Sequence, residues 1–154
     1  MIFDPKDDGV THINVYSKAK TELGKFLSNF SKTDLKTEDG EFQSVEGLWH
    51  WLQVSDEYQF KNDLRSLAGK SAKEIGRLAR KNFPNYVDET EFKRKIKTAI
   101  EYKVANSTFL KEFSESTLPL THFYIMFGKY KRPDSKNDWV IEYLEELRKE
   151  SHKL

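Results

Sequence analysis

A chain of 154 residues is the size of one ordinary domain, long enough to bury most of the surface its unfolded form would expose. With 37% hydrophobic and 14% aromatic residues it can build a core, while 33% charged residues and a mean hydropathy of −0.76 leave no run near the roughly 20 apolar residues of a membrane helix. There is no cysteine, which excludes Cys nucleophiles, Cys-ligated zinc and iron–sulfur chemistry; with an acidic Met1 to Val10 that lacks the order of a secretory leader, this points to a soluble cytoplasmic protein without a membrane partner.

His12 to Tyr16 alternates around Ile13 and Val15 and predicts a short strand, and Asp34 to Phe42, with Asp39-Gly40 inside it, predicts a small hairpin. From Ser44 onward Val45, Leu48, Trp49 and Leu52 recur at helical spacing, and Phe60, Leu64 and Leu67 repeat the pattern before Gly69, as two helices or one broken helix. Ser71 with Glu74 has the capping-box pattern and opens a helix that turns Ile75, Leu78 and Ala79 inward and stops before Pro84. Asp88 with Glu91 repeats the device and starts the strongest helix, with Phe92, Ile96, Ala99, Ile100 and Val104 on one stripe, interrupted at Asn106 or Ser107 before Phe109, Leu110 and Phe113. Leu118 to Phe127 reads as extended up to Gly128, and a final helix from about Ser135 buries Trp139, Val140, Tyr143, Leu144 and Leu147. No repeat or linker divides the chain, so the expectation is a helix-rich α+β single domain over residues 1–154 with a few short strands.

The net charge of +1 conceals a segregation. Lys and Arg stand against Asp and Glu as 6 to 11 over residues 1–60, 12 to 6 over 61–103, and 8 to 8 over 104–154. The basic middle, which includes Arg77, Arg80 and Lys81, fits either the solvated outer face of two helices or a surface that meets phosphates. Dinucleotide-binding, P-loop, zincin and serine-hydrolase motifs are all missing, and His12, His50, His122 and His152 have no close pairing, so neither a metal nor a cofactor is expected.

Two clusters carry the chemistry. If Ser44 to Gln53 is helical, Glu46, Trp49, His50 and Gln53 fall at i, i+3, i+4 and i+7, which sets a carboxylate beside an aromatic ring and two hydrogen-bonding groups. An acid in a first helical turn is also favoured by the dipole alone, and Trp49 and Trp51 equally suit core packing. Gly24 to Phe30, read as a loop, offers Ser28, Asn29 and the Phe30 ring, which suit a sugar and a stacked base; Ser28 and Asn29 are equally good local caps.

Ile13 to Ser17, Leu27-Ser28-Asn29-Phe30, Asp39-Gly40 and Ser44-Val45-Glu46 leading into a Trp-rich helix resemble the opening of the NADAR, or YbiA-like, family. The resemblance continues through Ala72 to Gly76-Arg77 and from Asn137 to Glu146-Leu147-Arg148, with stretches such as Ser116 to Pro119 and Thr121 to Tyr124 similar to a tailed-phage branch. It implies hydrolysis of an N-glycosidic bond: removal of ADP-ribose from guanine in nucleic acid, DNA rather than RNA, or cleavage of N-ribosyl phosphates of riboflavin metabolism. In a phage the first activity would reverse a host ADP-ribosylating defence. By this resemblance Glu46 is the catalytic acid or base; the departing base also needs a proton, for which His122, Tyr124 and His50 are the candidate donors. Ser28 and Asn29 hold the ribose, Phe30 and Trp49 stack on a ring, Arg77 pairs with phosphate, and Gln53, Gly76 and Asn137 complete the substrate site. Many relatives carry Lys where this chain has Gln53, His where it has Gly47, and an acid in the stretch occupied here by Tyr124 to Gly128, so a module that binds ADP-ribose without cleaving it is the further alternative.

Overall fold

A computed structural model describes residues 3–132 and 135–151. In chain order the elements are β1 (Ile13–Asn14), α1 (Glu22–Leu27), β2 (Leu35–Thr37), β3 (Gly40–Phe42), α2 (Val45–Trp51), α3 (Gly69–Asn82), α4 (Glu89–Ala105), α5 (Leu110–Glu115), β4 (Leu120–Thr121), β5 (Tyr124–Met126), β6 (Lys129–Lys131) and α6 (Asp138–Ser151), with 3-10 turns at Pro5–Asp7, Lys61–Ser66 and Ser135–Asn137. The class is α+β, dominated by helix. The chain divides into two compact units, residues 1–28 with 107–154, and residues 29–106.

In the first unit β1 pairs in parallel with β4, Ile13 opposite Leu120 and Asn14 opposite Thr121. Two residues make a weak ladder, and side chains complete it. Asn14 donates through Nδ2 to the Phe123 carbonyl (2.8 Å) and accepts from the Phe123 N–H (2.7 Å). His12 Nδ1 lies 2.6 Å from Thr121 Oγ1 and Nε2 lies 2.8 Å from the Asp4 carbonyl, so this buried histidine is structural. On α6, Arg148 donates to Glu145 and to the Leu118 carbonyl, while Glu145 accepts from the Leu120 N–H, each at 2.7 Å, which ties the helix to β4. Val140 and Leu144 are buried as expected, whereas Trp139, Tyr143 and Leu147 are only partly covered. The expected extended run to Phe127 is broken into β4 and β5, and β5 turns back on β6 as an antiparallel hairpin. Gly24 to Leu27, read from sequence as part of a loop, belong to α1 (Glu22–Leu27), whose first turn is capped by Thr21 accepting from the Gly24 N–H.

In the second unit the β2–β3 hairpin closes through Glu38-Asp39, with Gly40 already the first residue of β3, and lies on α4; α2 packs against both α3 and α4. Leu35, Phe42, Val45, Leu48, Val54, Leu64, Ile96 and Ile100 form its core. Ser44 caps α2 by accepting from the Gly47 N–H, and Asp88 caps α4 by accepting from the Glu91 N–H. α3 departs from expectation. It begins at Gly69, the Ser71 hydroxyl donates to the Ala68 carbonyl instead of capping, and Ala72, Gly76 and Ala79 face inward while Ile75 and Leu78 stay 42% and 62% exposed. The small residues are inside because α2 comes very close. Leu64 lies on the 3-10 turn and not on an α-helix, and Phe60 just before it is half exposed.

Lys103, on the inner face of α4, was not expected in a core. Burial pushes its ammonium down to about 7, whereas an unfolded lysine titrates near 10.4. Between those values the unfolded chain holds the proton that the folded chain releases, so stability rises with pH, by at most about 1.4 kcal/mol per unit. Urea unfolding at pH 7 and pH 9 is expected to show a larger gain for wild type than for Lys103→Met. Equal gains in the two proteins would refute this account.

Candidate functional site

Glu46 sits in the first turn of α2, its backbone N–H donating to the Asn29 carbonyl at 3.0 Å, so the segment after α1 fixes the start of the helix. One turn later His50 presents Nε2 to Glu46 Oε1 at 3.1 Å, and the two side chains are only 4% (His50) and 14% (Glu46) exposed. His50 Nδ1 is buried without a hydrogen-bond partner. That arrangement fits the tautomer in which Nε2–H donates to the carboxylate, because a second N–H without an acceptor would cost more than a bare lone pair.

The ring of His50 lies against Gly76 of α3. A Cβ at position 76 would stand 2.2 Å from His50 Cγ, so only glycine permits this approach. Gly47 is equally confined, since a Cβ there would lie 2.5 Å from the Leu64 carbonyl oxygen. The imidazole of this chain therefore reaches Glu46 from position 50, and no side chain fits directly after the acid.

Beyond the acid, an open cleft of about 450 Å³ is lined by Gln53, Arg77, Arg80, Lys81, Pro84 and Asn85. Arg80 connects the two features: burial pushes its guanidinium below the ordinary arginine value, neighbouring Arg77 adds to that, and the Glu46 carboxylate opposes it. Elsewhere in the basic segment several cations are matched. Lys61 pairs with Asp56, Lys93 with Glu89, Arg94 with Glu38 and Glu91, and Lys95 with Asp39. Among the described residues Arg77 and Lys81 form no ion pair, so the positive charge left uncompensated on this unit includes the cleft wall.

Most remaining candidates have structural partners. Gln53 donates through Nε2 to the Trp49 carbonyl (2.9 Å), Trp49 meets Phe92 of α4 edge-on at 4.9 Å, and Trp51 is sandwiched among Phe42, Lys61 and Arg65. The Phe30 ring has the Lys73 ammonium 5.9 Å from its centre. Ser28 is buried at the end of α1 in the first unit, which also holds His122, Tyr124 and Asn137. Burial pushes the His122 imidazole below its ordinary value, against the pull of the Asp138 carboxylate. Among the described residues no three His, Asp or Glu side chains gather as a metal site, and no helix is long and apolar enough to cross a membrane.

No protein-family profile and no curated protein sequence matches the chain. A solved structure does: the NMR structure of the Escherichia coli protein YbiA superposes with a TM-score of 0.68 at 19% identity, over 93% of this chain and 86% of that one. The fold is YbiA-like. It is the fold that the NADAR resemblance implies. Within it the structure brings Glu46, His50 and Gly76 into contact, sets Asn29 on the Glu46 backbone, and joins Gln53 and Arg77 in one cleft. Sequence reasoning counted Arg80 and Lys81 only as members of a basic segment and passed over Asn85; the signal for Arg80 was its place with Lys73 and Arg77 at i, i+4 and i+7 on one helix.

Proposed function

We propose that the protein is an N-glycosidase that releases ADP-ribose from guanine bases of nucleic acid, DNA rather than RNA. The observation that carries this reading is Arg80, which lies within the field of the Glu46 carboxylate and at the same time lines a cationic cleft. Breaking a C–N glycosidic bond builds positive charge on the ribose, which a shielded carboxylate stabilises while it takes a proton from the attacking water. The bonding pair passes to the base, which is protonated as it leaves. Arg77, Arg80 and Lys81 would meet the phosphates that an ADP-ribosylated strand presents. Carried by a phage, this activity would undo a host defence that ADP-ribosylates nucleic acid.

One observation favours a second reading. Gln53 stands at the position of the Lys found in many relatives, and its amide is committed to the Trp49 carbonyl, which suits a pocket that binds ADP-ribose without cleaving it. The test is a time course of ADP-ribose release from an oligonucleotide bearing ADP-ribose on guanine. Release supports the hydrolase, binding without release supports the binding module, and turnover of free N-ribosyl phosphates alone moves the substrate to small metabolites. With the oligonucleotide, Arg77→Ala with Arg80→Ala is expected to lower the slope of log affinity against log salt by about 1 to 2. An unchanged slope would remove the cleft from nucleic-acid binding.

A further inference from the structure

Apart from Tyr124 at its start, the β5–β6 hairpin lies outside the groups so far given a role. Its strands pair Tyr124 with Lys131, Ile125 with Tyr130 and Met126 with Lys129, which leaves Phe127-Gly128 as a two-residue turn. Both turn residues have positive φ, +52° for Phe127 and +75° for Gly128. Turns of this kind take Asn, Asp or Gly at the first position; a bulky aromatic there is disfavoured by the clash of Cβ with the backbone. Phe127 gains nothing locally in return, since it is 94% exposed, and Ile125, Met126 and Tyr130 near it are also open to solvent. Lys129 and Lys131 lie on the return strand and Arg132 follows it, all exposed, and no acid lies between Tyr124 and Arg132. Asp138 comes no nearer than 3.9 Å to Arg132.

We propose that this hairpin is a nucleic-acid-engaging arm that places the Phe127 ring in the base stack while Lys129 and Lys131 hold the adjoining backbone. A conformationally costly, fully exposed ring is the kind of outlier from which a function is reasonably argued. A planar ring has a base as its natural partner, and apolar wedges backed by cations are how proteins unstack a strand. Lys129 is the first residue after the turn that carries Phe127, which lets a single strand meet both ring and cation. A lipid surface would be met by a broad apolar face, whereas this hairpin alternates Lys129 and Lys131 with Tyr124 and Met126 on one side. The inference rests on the proposed nucleic-acid substrate and extends it to an element on the other unit.

The test uses the full chain and an unmodified single-stranded oligonucleotide carrying 2-aminopurine, whose fluorescence reports stacking. Wild type is expected to change that signal. Phe127→Asn suits the positive φ and so preserves or tightens the turn, yet it is expected to abolish the signal and weaken binding about tenfold. Phe127→Trp is expected to retain both. If the hydrolase reading holds, Phe127→Asn should still release ADP-ribose from an ADP-ribosylated guanosine at the wild-type rate, since a nucleoside has no strand to grip. Failure of the hydrolase reading would remove that comparison and leave the fluorescence result standing. The proposal is overturned if wild type leaves the signal unchanged, if Phe127→Asn binds and reports as wild type does, or if the substitution instead weakens binding to anionic phospholipid vesicles.

Discussion

Glu46→Gln is expected to fold as the wild type does and to hydrolyse its substrate about 10² to 10⁴ times more slowly, the usual contribution of a positioned acid–base group. The substitution is close to isosteric, and the amide oxygen still accepts from the Nε2–H that now meets the carboxylate at 3.1 Å. On the proposed reading, what it removes is the negative charge that stabilises the ribose and the ability to take a proton from water. Both act in the transition state, so the loss should appear in kcat under saturating substrate and in single-turnover rates, with ADP-ribose binding preserved. Glu46→Ala would answer less cleanly, because it strands the second nitrogen of a buried imidazole whose Nδ1 already lacks a partner, a further cost of about 1 to 3 kcal/mol. A Glu46→Gln enzyme as fast as wild type would eliminate this carboxylate from the chemistry and, with it, the site described here.

That Glu46 and His50 meet was legible because both lie on one helix, where spacing is geometry. Asp88 was legible as a cap for the same local reason, and its side chain accepts from the Glu91 N–H. Ser71 with Glu74 has the same pattern and does not cap. Gly69, with φ of +59°, turns the chain early enough for α3 to begin two residues before Ser71. The inward face of α3 was misread because periodicity weighs hydrophobicity, whereas an interface as close as that between α2 and α3 is built from Ala72, Gly76 and Ala79. Ile75 and Leu78 are large enough to keep the helices apart, and they face out.

Long-range pairing left no local trace. The β1–β4 ladder joins residues more than a hundred positions apart through two residue pairs and an asparagine side chain, and β6 reads as Lys-Tyr-Lys, too polar and too short to signal a strand. The cleft was hidden for the same reason. Arg77 and Arg80 were visible as charges, but which charges stay unmatched depends on Glu38, Glu89, Glu91 and Asp39 neutralising the neighbouring helix. Spacing along one helix cannot report what a second helix and a hairpin bring to it.

The contact between α2 and α3 yields the other large effect. Gly76→Ala would ordinarily strengthen a helix by about 1 kcal/mol, but here the new methyl would lie 2.2 to 2.6 Å from three atoms of His50. Overpacking of a close interface typically costs about 1 to 3 kcal/mol, and 2.2 Å is a clash that neither helix relieves without moving, so the steric term wins and the unfolding midpoint falls. The ring that must yield is the one holding Glu46, so hydrolysis is expected to fall as well, at temperatures where the variant is still folded. Adding His50→Gly tests this directly: with the whole side chain gone, its Cβ at 2.5 Å included, the methyl has space, and the second substitution should cost less stability in the Gly76→Ala background than in wild type. Activity should stay low in the double variant, because the carboxylate has lost its partner. Additive stabilities would mean that position 76 acts through something other than His50, and restored activity would show that Glu46 needs no imidazole to hold it.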